Sequence, residues 1–297
     1  MTPFSLDSEL LLPARTPVLV GPSGWNFSHW EGVIYPAGRP KGFHALEFIA
    51  ERFDAVEIPA SFESYPRPEV VKYWLDKSAC NPRFQFVARL HRQFTHERRL
   101  DVPSVEAFCA ALRPLRRAGK LGAVLMTFPW SFRFTQENRD YFIQVRRTFA
   151  EFSLVAEMRH ESWACPEAIG TLIDHRVGFA NIDQPEHVRA MGPTAHLTSA
   201  IGYTRLHGKQ RPDWYVDFDE RLPSRGPGYR YSVAELDQWQ VRVQDVAAFA
   251  DRSFVFFTND AGGQSFWNAL AMKQRFALPK RQAARTEGPL LRHLAMA

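Results

Sequence analysis

The stretch Leu154-Val155-Ala156-Glu157-Met158-Arg159-His160-Glu161-Ser162-Trp163 starts apolar, closes on charged residues and gives way at Pro166 to a helical pattern. An apolar run too short for a helix, ending on polar side chains before a helix, reads as one β/α unit whose strand is covered on both faces. Seven further runs repeat this grammar, centred near Val18–Gly21, Val56–Ile58, Phe84–Val87, Ala123–Met126, Val177–Asn181, Tyr203–Leu206 and Phe254–Phe257. Eight such units in 297 residues predict an α/β fold of the closed (β/α)8 TIM type. Barrel chemistry is done where the strands end. Those ends carry Trp25, Glu57, His91, Glu157, Arg159, Asp183, Arg205, His207, Asn259 and Asp260.

The helices between the strands announce themselves by their starts. The first is expected over 43–53, the second from Pro68, the third after Ser104, the fourth after Thr135 and a shorter fifth from Pro166. Ser232-Val233-Ala234-Glu235 is a capping box ahead of Leu236, Trp239 and Val243, and the last helix begins after Gly262–Gly263. Two departures from a regular barrel are expected. Pro185, Gly192 and Pro193 leave the sixth helix shortened or missing. Residues 208–231, with Trp214 and Tyr215, form a long loop after strand seven, placed to cover the site as a lid. With no internal repeat and no low-complexity linker, residues 1–297 read as a single domain: a barrel over about 18–275 and a basic tail over 276–297.

Composition narrows the function classes. A 45% hydrophobic and 23% charged chain is ordinary for a globular protein, and no apolar run approaches the roughly 20 residues that cross a bilayer. Asp7 and Glu9 near the start do not read as a signal peptide. Cys80, Cys109 and Cys165 are too far apart for a redox or metal motif, which fits a reduced, cytoplasmic setting. The net charge of +5 is carried by residues 273–297, where Lys273, Arg275, Lys280, Arg281, Arg285 and Arg292 meet one acid, Glu287. Such a tail attracts phosphates, but residues 1–272 are neutral overall, so nucleic acid is a possible and not a favoured partner.

The chemistry-bearing residues fall on alternating positions. Glu157 and Arg159 share a strand face, as do Tyr203, Arg205 and His207, and Glu57 stands at the end of strand two. Glu57, Glu157, Arg205 and His207 are the candidate catalytic set, a carboxylate–guanidinium–imidazole group around the mouth. Two carboxylates on separate strands suit acid/base chemistry on a sugar, one ionised and one held protonated. A separation of about 5–5.5 Å favours a nucleophile and roughly 6.5–9.5 Å leaves room for water. The alternative is an ion-pair network that only fills the barrel.

Gly208-Lys209 and Gly262–Gly263 are candidates for a phosphate cradle after strands seven and eight. Aromatic side chains crowd the proposed mouth and could stack on a planar ligand or merely pack loop on loop. The ten histidines include no helical HxxxH pair, so no metal is expected; a site from His207, Asp183, Glu157 and Glu57 is the weaker alternative. With no Walker loop and no dinucleotide GxGxxG, no cofactor is expected.

Seven ordered segments carry a resemblance: Gly21–Pro36 (GPSGWNFSHWEGVIYP), Glu51–Pro66 (ERFDAVEIPASFESYP), Phe86–Leu100, Gly122–Phe132, EMRHESW, YTRLHG and FTNDAGG. In these the chain resembles the YecE-like proteins, domain of unknown function 72. The resemblance implies a TIM-type barrel and a cytoplasmic bacterial-type protein, and it implies no established activity. Carried over by position, it adds Trp25, His96, Arg159, Trp163, Asn259 and Asp260 as binding residues. The chain departs from the family's pattern at Pro59, Arg89 and Thr127, where Asn, Lys and Gln are usual. Arg89 keeps a charge but is not a readily deprotonated amine. The expected function is a hydrolase-like acid/base enzyme on a small sugar- or phosphate-bearing molecule; the alternative is a non-catalytic or nucleic-acid-binding barrel using an aromatic mouth and the basic tail.

Overall fold

The computed structural model describes residues 17–209 and 228–277. Eight strands run in order: β1 Val18–Pro22, β2 Ala55–Ile58, β3 Gln85–Arg89, β4 Leu121–Thr127, β5 Leu154–Glu157, β6 Gly178–Asp183, β7 Ile201–Leu206 and β8 Arg252–Phe257. All pair in parallel, in the order β1-β8-β7-β6-β5-β4-β3-β2. Valine, phenylalanine, leucine and alanine dominate because both faces of each strand are covered, and β2, β5, β6 and β7 are buried at every position.

The ring is completed between β1 and β2 by a single bridge, Ser23 to Glu57, with Gly24 N–H donating to the Glu57 carbonyl at 3.0 Å. Gly21 makes this approach possible, since a Cβ there would lie 1.8 Å from the Ala55 carbonyl oxygen. Gly21→Ala is therefore expected to destabilise by about 3 kcal/mol, the upper end of overpacking, because the obstacle is backbone. An unchanged urea midpoint would show that this junction tolerates a side chain.

The helices are α1 Ala45–Ala50, α2 Pro68–Lys77, α3 Arg92–Thr95, α4 Val102–Arg117, α5 Gln136–Thr148, α6 Pro166–Asp174, α7 Val233–Ala247 and α8 Gln264–Ala277. They bury one stripe each: Leu46 and Ile49 of α1, Phe108, Leu112 and Leu115 of α4, Phe142 and Val145 of α5. Thr135 caps α5, and Ser232 and Glu235 form both bonds of the capping box on α7. Two expectations need correction. The first helix is shorter than residues 43–53, with His44 at its N-cap. α4 is capped by Asp101, not Ser104: Ser104 N–H donates to Asp101 Oδ1 at 3.0 Å, and Pro103 fits the first turn because it has no N–H to lose.

Residues 184–200 contain no helix, so the sixth helix is missing as the prolines imply. Side chains hold that segment instead: Gln184 Nε2 donates to the carbonyls of Arg159 and Met191, and Asn181 Oδ1 accepts from Thr194 Oγ1 and His196 N–H. Most of the expected lid, including Trp214 and Tyr215, and the tail beyond residue 277 lie outside the described residues.

Candidate functional site

Strand alternation brings the charged residues into the ring. Arg205 of β7 spans it, donating from Nη1 to Glu157 Oε2 at 2.8 Å and from Nη2 to Glu57 Oε2 at 3.0 Å. Arg159 Nε donates to the other oxygen of Glu157 at 3.0 Å. Glu57 also accepts from Tyr203 Oη at 2.9 Å and from Ser23 Oγ. His207 Nδ1 lies 2.6 Å from Thr258 Oγ1, and its Nε2 lies 3.4 Å from Glu157 Oε2. A proton on Nε2 suits both contacts, with the threonine hydroxyl donating to Nδ1. Arg89, at the end of β3, donates to Thr127 Oγ1 at 3.0 Å and stacks over the Phe62 ring at 4.0 Å. Glu57 and Glu157 are fully buried, and Arg89, Arg159, Arg205 and His207 are nearly so.

Electrostatics sets the protonation states. Burial alone would push the Glu157 carboxyl up, but Arg205, His207 and Arg159 outweigh it and hold the group well below the usual carboxylate range. Burial holds His207 neutral, near a pKa of about 3; the pull of Glu157 opposes this and the Arg205 cation reinforces it. His96, partly exposed and edge-on to Phe62, is also lowered to about 3, by burial and then by Arg159, Arg89 and Arg92. Burial and the neighbouring Arg205 press Arg89 downward. The expected acid/base pair, one carboxyl protonated and the other ionised across a ligand, does not fit this geometry. Both carboxylates grip one guanidinium, and every hydrogen bond described at Glu57 is one it accepts.

Four of the residues expected to bind make their contacts away from this charged group. Trp25 packs outside the ring, edge-on to Trp74 at 5.4 Å and against Phe86, because the chain turns outward after β1. Trp163 is wholly buried, stacked on Phe132 and donating from Nε1 to the Phe132 carbonyl at 2.7 Å. Asn259 Nδ2 donates to the Tyr229 carbonyl and to Asn268 Oδ1, tying residue 229 to α8. Asp260 accepts from Trp30 Nε1 and Ser265 Oγ and pairs with His29 at 3.0 Å, which latches the loop after β1 to the loop after β8.

The β7 half of the expected phosphate cradle is likewise engaged, and after β8 the Gly263 N–H donates to the Asp260 carbonyl at 2.8 Å. Gly208 N–H donates to Tyr231 Oη, whose hydroxyl donates to Asp183, and Lys209 pairs with Glu235 at 3.3 Å. The weighed metal set is split by the Arg205 guanidinium, and among the described residues no group of three or more His, Cys, Asp or Glu could hold an ion. Arg89 and Thr127, noted from the sequence only as departures from the family's pattern, and Ser23, which the sequence did not single out, also join this group. Arg89 carried the same signal as Glu157, a charge closing an apolar strand.

A ring of eight parallel strands with ionised side chains gathered inside its carboxyl end defines a TIM-type barrel protein. The model of the family described as a protein of unknown function, DUF72, matches residues 19–291, and the chain belongs to that family. The chain is similar to the UPF0759 protein YunF of Bacillus subtilis, 24% identical over 268 residues, covering 86% of this chain and 93% of that protein. Among solved structures, a DUF72 family protein of Thermotoga maritima is 27% identical with a TM-score of 0.74, covering 88% of this chain and 99% of the other. One from Enterococcus faecalis shares the fold, with a TM-score of 0.75 at 21% identity, covering 89% of this chain and 96% of the other. No helix among the described residues is long and apolar enough to cross a membrane.

Proposed function

We propose that this protein is a hydrolase-like barrel enzyme acting on a small sugar- or phosphate-bearing molecule held at the barrel mouth. One observation carries the reading: strands β2, β5 and β7 place Glu57, Glu157, Arg205 and His207 in one buried, hydrogen-bonded group at the end of the barrel where chemistry is done. Buried ion pairs add little stability over well-packed apolar side chains, so stability alone is a poor reason to keep them there.

The protonation states assign the roles. Arg159 and Arg205 supply fixed positive charge for a phosphate oxygen, or for negative charge developing on the substrate. Glu157 orients both guanidiniums and accepts substrate hydroxyls, and neutral His207 presents its Nε2 proton to that carboxylate. With a pKa of about 3 in the resting site, His207 is a weak base, so charge stabilisation supplies most of the rate. The mouth residue His96 flanks the same cations. Three free cysteines fit a reducing, cytoplasmic setting for this activity.

The test is a thermal-shift screen of sugars, sugar phosphates and oligonucleotides, followed by turnover assays on each compound that binds. A ligand at 100 times its dissociation constant stabilises by about 2.7 kcal/mol, a rise of several degrees. E157Q and R159M are expected to abolish the shift from the wild-type ligand. Full turnover in both E57Q and E157Q would end the assignment. A shift from oligonucleotides alone would favour the nucleic-acid alternative.

A further inference from the structure

Beside the barrel, between the loop after β1 and helices α1 and α2, lies a cavity of about 290 Å³. Four aromatic side chains line it (Trp25, Phe43, Tyr73 and Trp74), with Asn26, Arg39 and His44 supplying polar atoms. Three features set it apart from ordinary packing. His44 occupies the N-cap of α1, yet its side chain makes no capping bond, and its Nδ1 is buried with no hydrogen-bond partner among the described residues. Arg39 sits at φ +37°, a left-handed conformation that is uncommon for a side-chain-bearing residue and that clusters where ligands are held. Trp25 and Trp74 meet at 89°, a corner with an indole face on each wall.

Charge and hydrogen bonding select the occupant. Arg39 is engaged by Asn26 Oδ1, the Phe27 carbonyl and Glu31, and neighbouring Lys77 by Glu47 at 3.1 Å. With its cations compensated, the lining suits an uncharged ligand. A monosaccharide would bring several hydroxyls, each needing a partner once buried, and most polar atoms here are already used. A flat heteroaromatic ring asks for less: its faces meet indole and phenyl groups, and one edge atom meets His44 Nδ1.

We propose that this cavity is a binding site for an uncharged heteroaromatic ring of the nucleobase or nicotinamide kind, seated in the corner that Trp25 and Trp74 form and hydrogen-bonded to His44. The site is separate from the charged mouth and does not depend on the reading of that mouth. Rings of about ten heavy atoms are expected to bind with dissociation constants on the order of 0.1–1 mM.

Saturation-transfer NMR with adenosine, nicotinamide and methyl glucoside as probes tests this. The two heteroaromatic probes are expected to receive saturation on their ring protons, and methyl glucoside none. H44A, which removes no helix cap, is expected to weaken both ring probes about tenfold, W74A at least as much, and E157Q at the mouth not at all. Should W74A fail to fold, the imidazole nitrogen shift of His44 on adding nicotinamide reports the same contact. The proposal is overturned if neither ring probe binds at 5 mM, if H44A binds them as wild type does, or if methyl glucoside binds in their place.

Discussion

Acidifying the protein from pH 6.5 to pH 4 is expected to remove about 3 kcal/mol of its stability through His207 alone. The unfolded chain takes up a proton at this histidine near its ordinary value of 6.5, whereas the folded chain resists until about 3. Between those values the unfolded state binds more protons, so stability is full above pH 6.5 and falls as the pH drops. His96 acts in the same direction over the same window. Glu157 adds a further loss below its ordinary value of 4.5, because its folded carboxyl stays ionised to lower pH. Urea unfolding at pH 7.5, 6, 5 and 4 reads this directly, and H207N should flatten the upper part of the profile. A wild-type profile that is level down to pH 4 would mean that the imidazole is not buried beside these cations.

Arg205→Met is expected to cost about 3–5 kcal/mol, the range for leaving a buried charge without its partner. Glu57 and Glu157, both fully buried, would face each other with no cation between them. The double variant R205M/E57Q should recover most of that loss, since the Glu157 carboxylate left behind still pairs with Arg159. It should not recover ligand binding at the mouth. A loss below 1 kcal/mol in R205M would show that the carboxylates are not coupled through this guanidinium.

How far these features could be read in advance depends on their range along the chain. Each strand was legible because a parallel strand covered on both faces is a short apolar run, and such runs do not depend on their neighbours. The sharing of one face by Tyr203, Arg205 and His207 followed from alternation and was legible too. The bridge from Arg205 to Glu57 was not, because it joins residues 148 apart and depends on how far the strands stagger around the ring. Nor does local pattern reveal what a tryptophan after a strand will touch. Trp163 and Trp25 both follow strands, yet one stacks in the core and the other walls a flank cavity. The start of α4 was misplaced because Asp101 and Ser104 are both good capping residues, and only the donated N–H distinguishes them.

The lone bridge that fastens the first stave of the barrel to the second has a consequence for motion. Glu57 gives its main-chain carbonyl to that fastening and its carboxylate to the charged group inside, so one residue serves the hoop and the chemistry together. Any breathing that parts these two staves must also slacken the grip on Arg205. The amide proton of Gly24, which closes the join, should therefore exchange with solvent in step with the readiness of the mouth to hold its ligand.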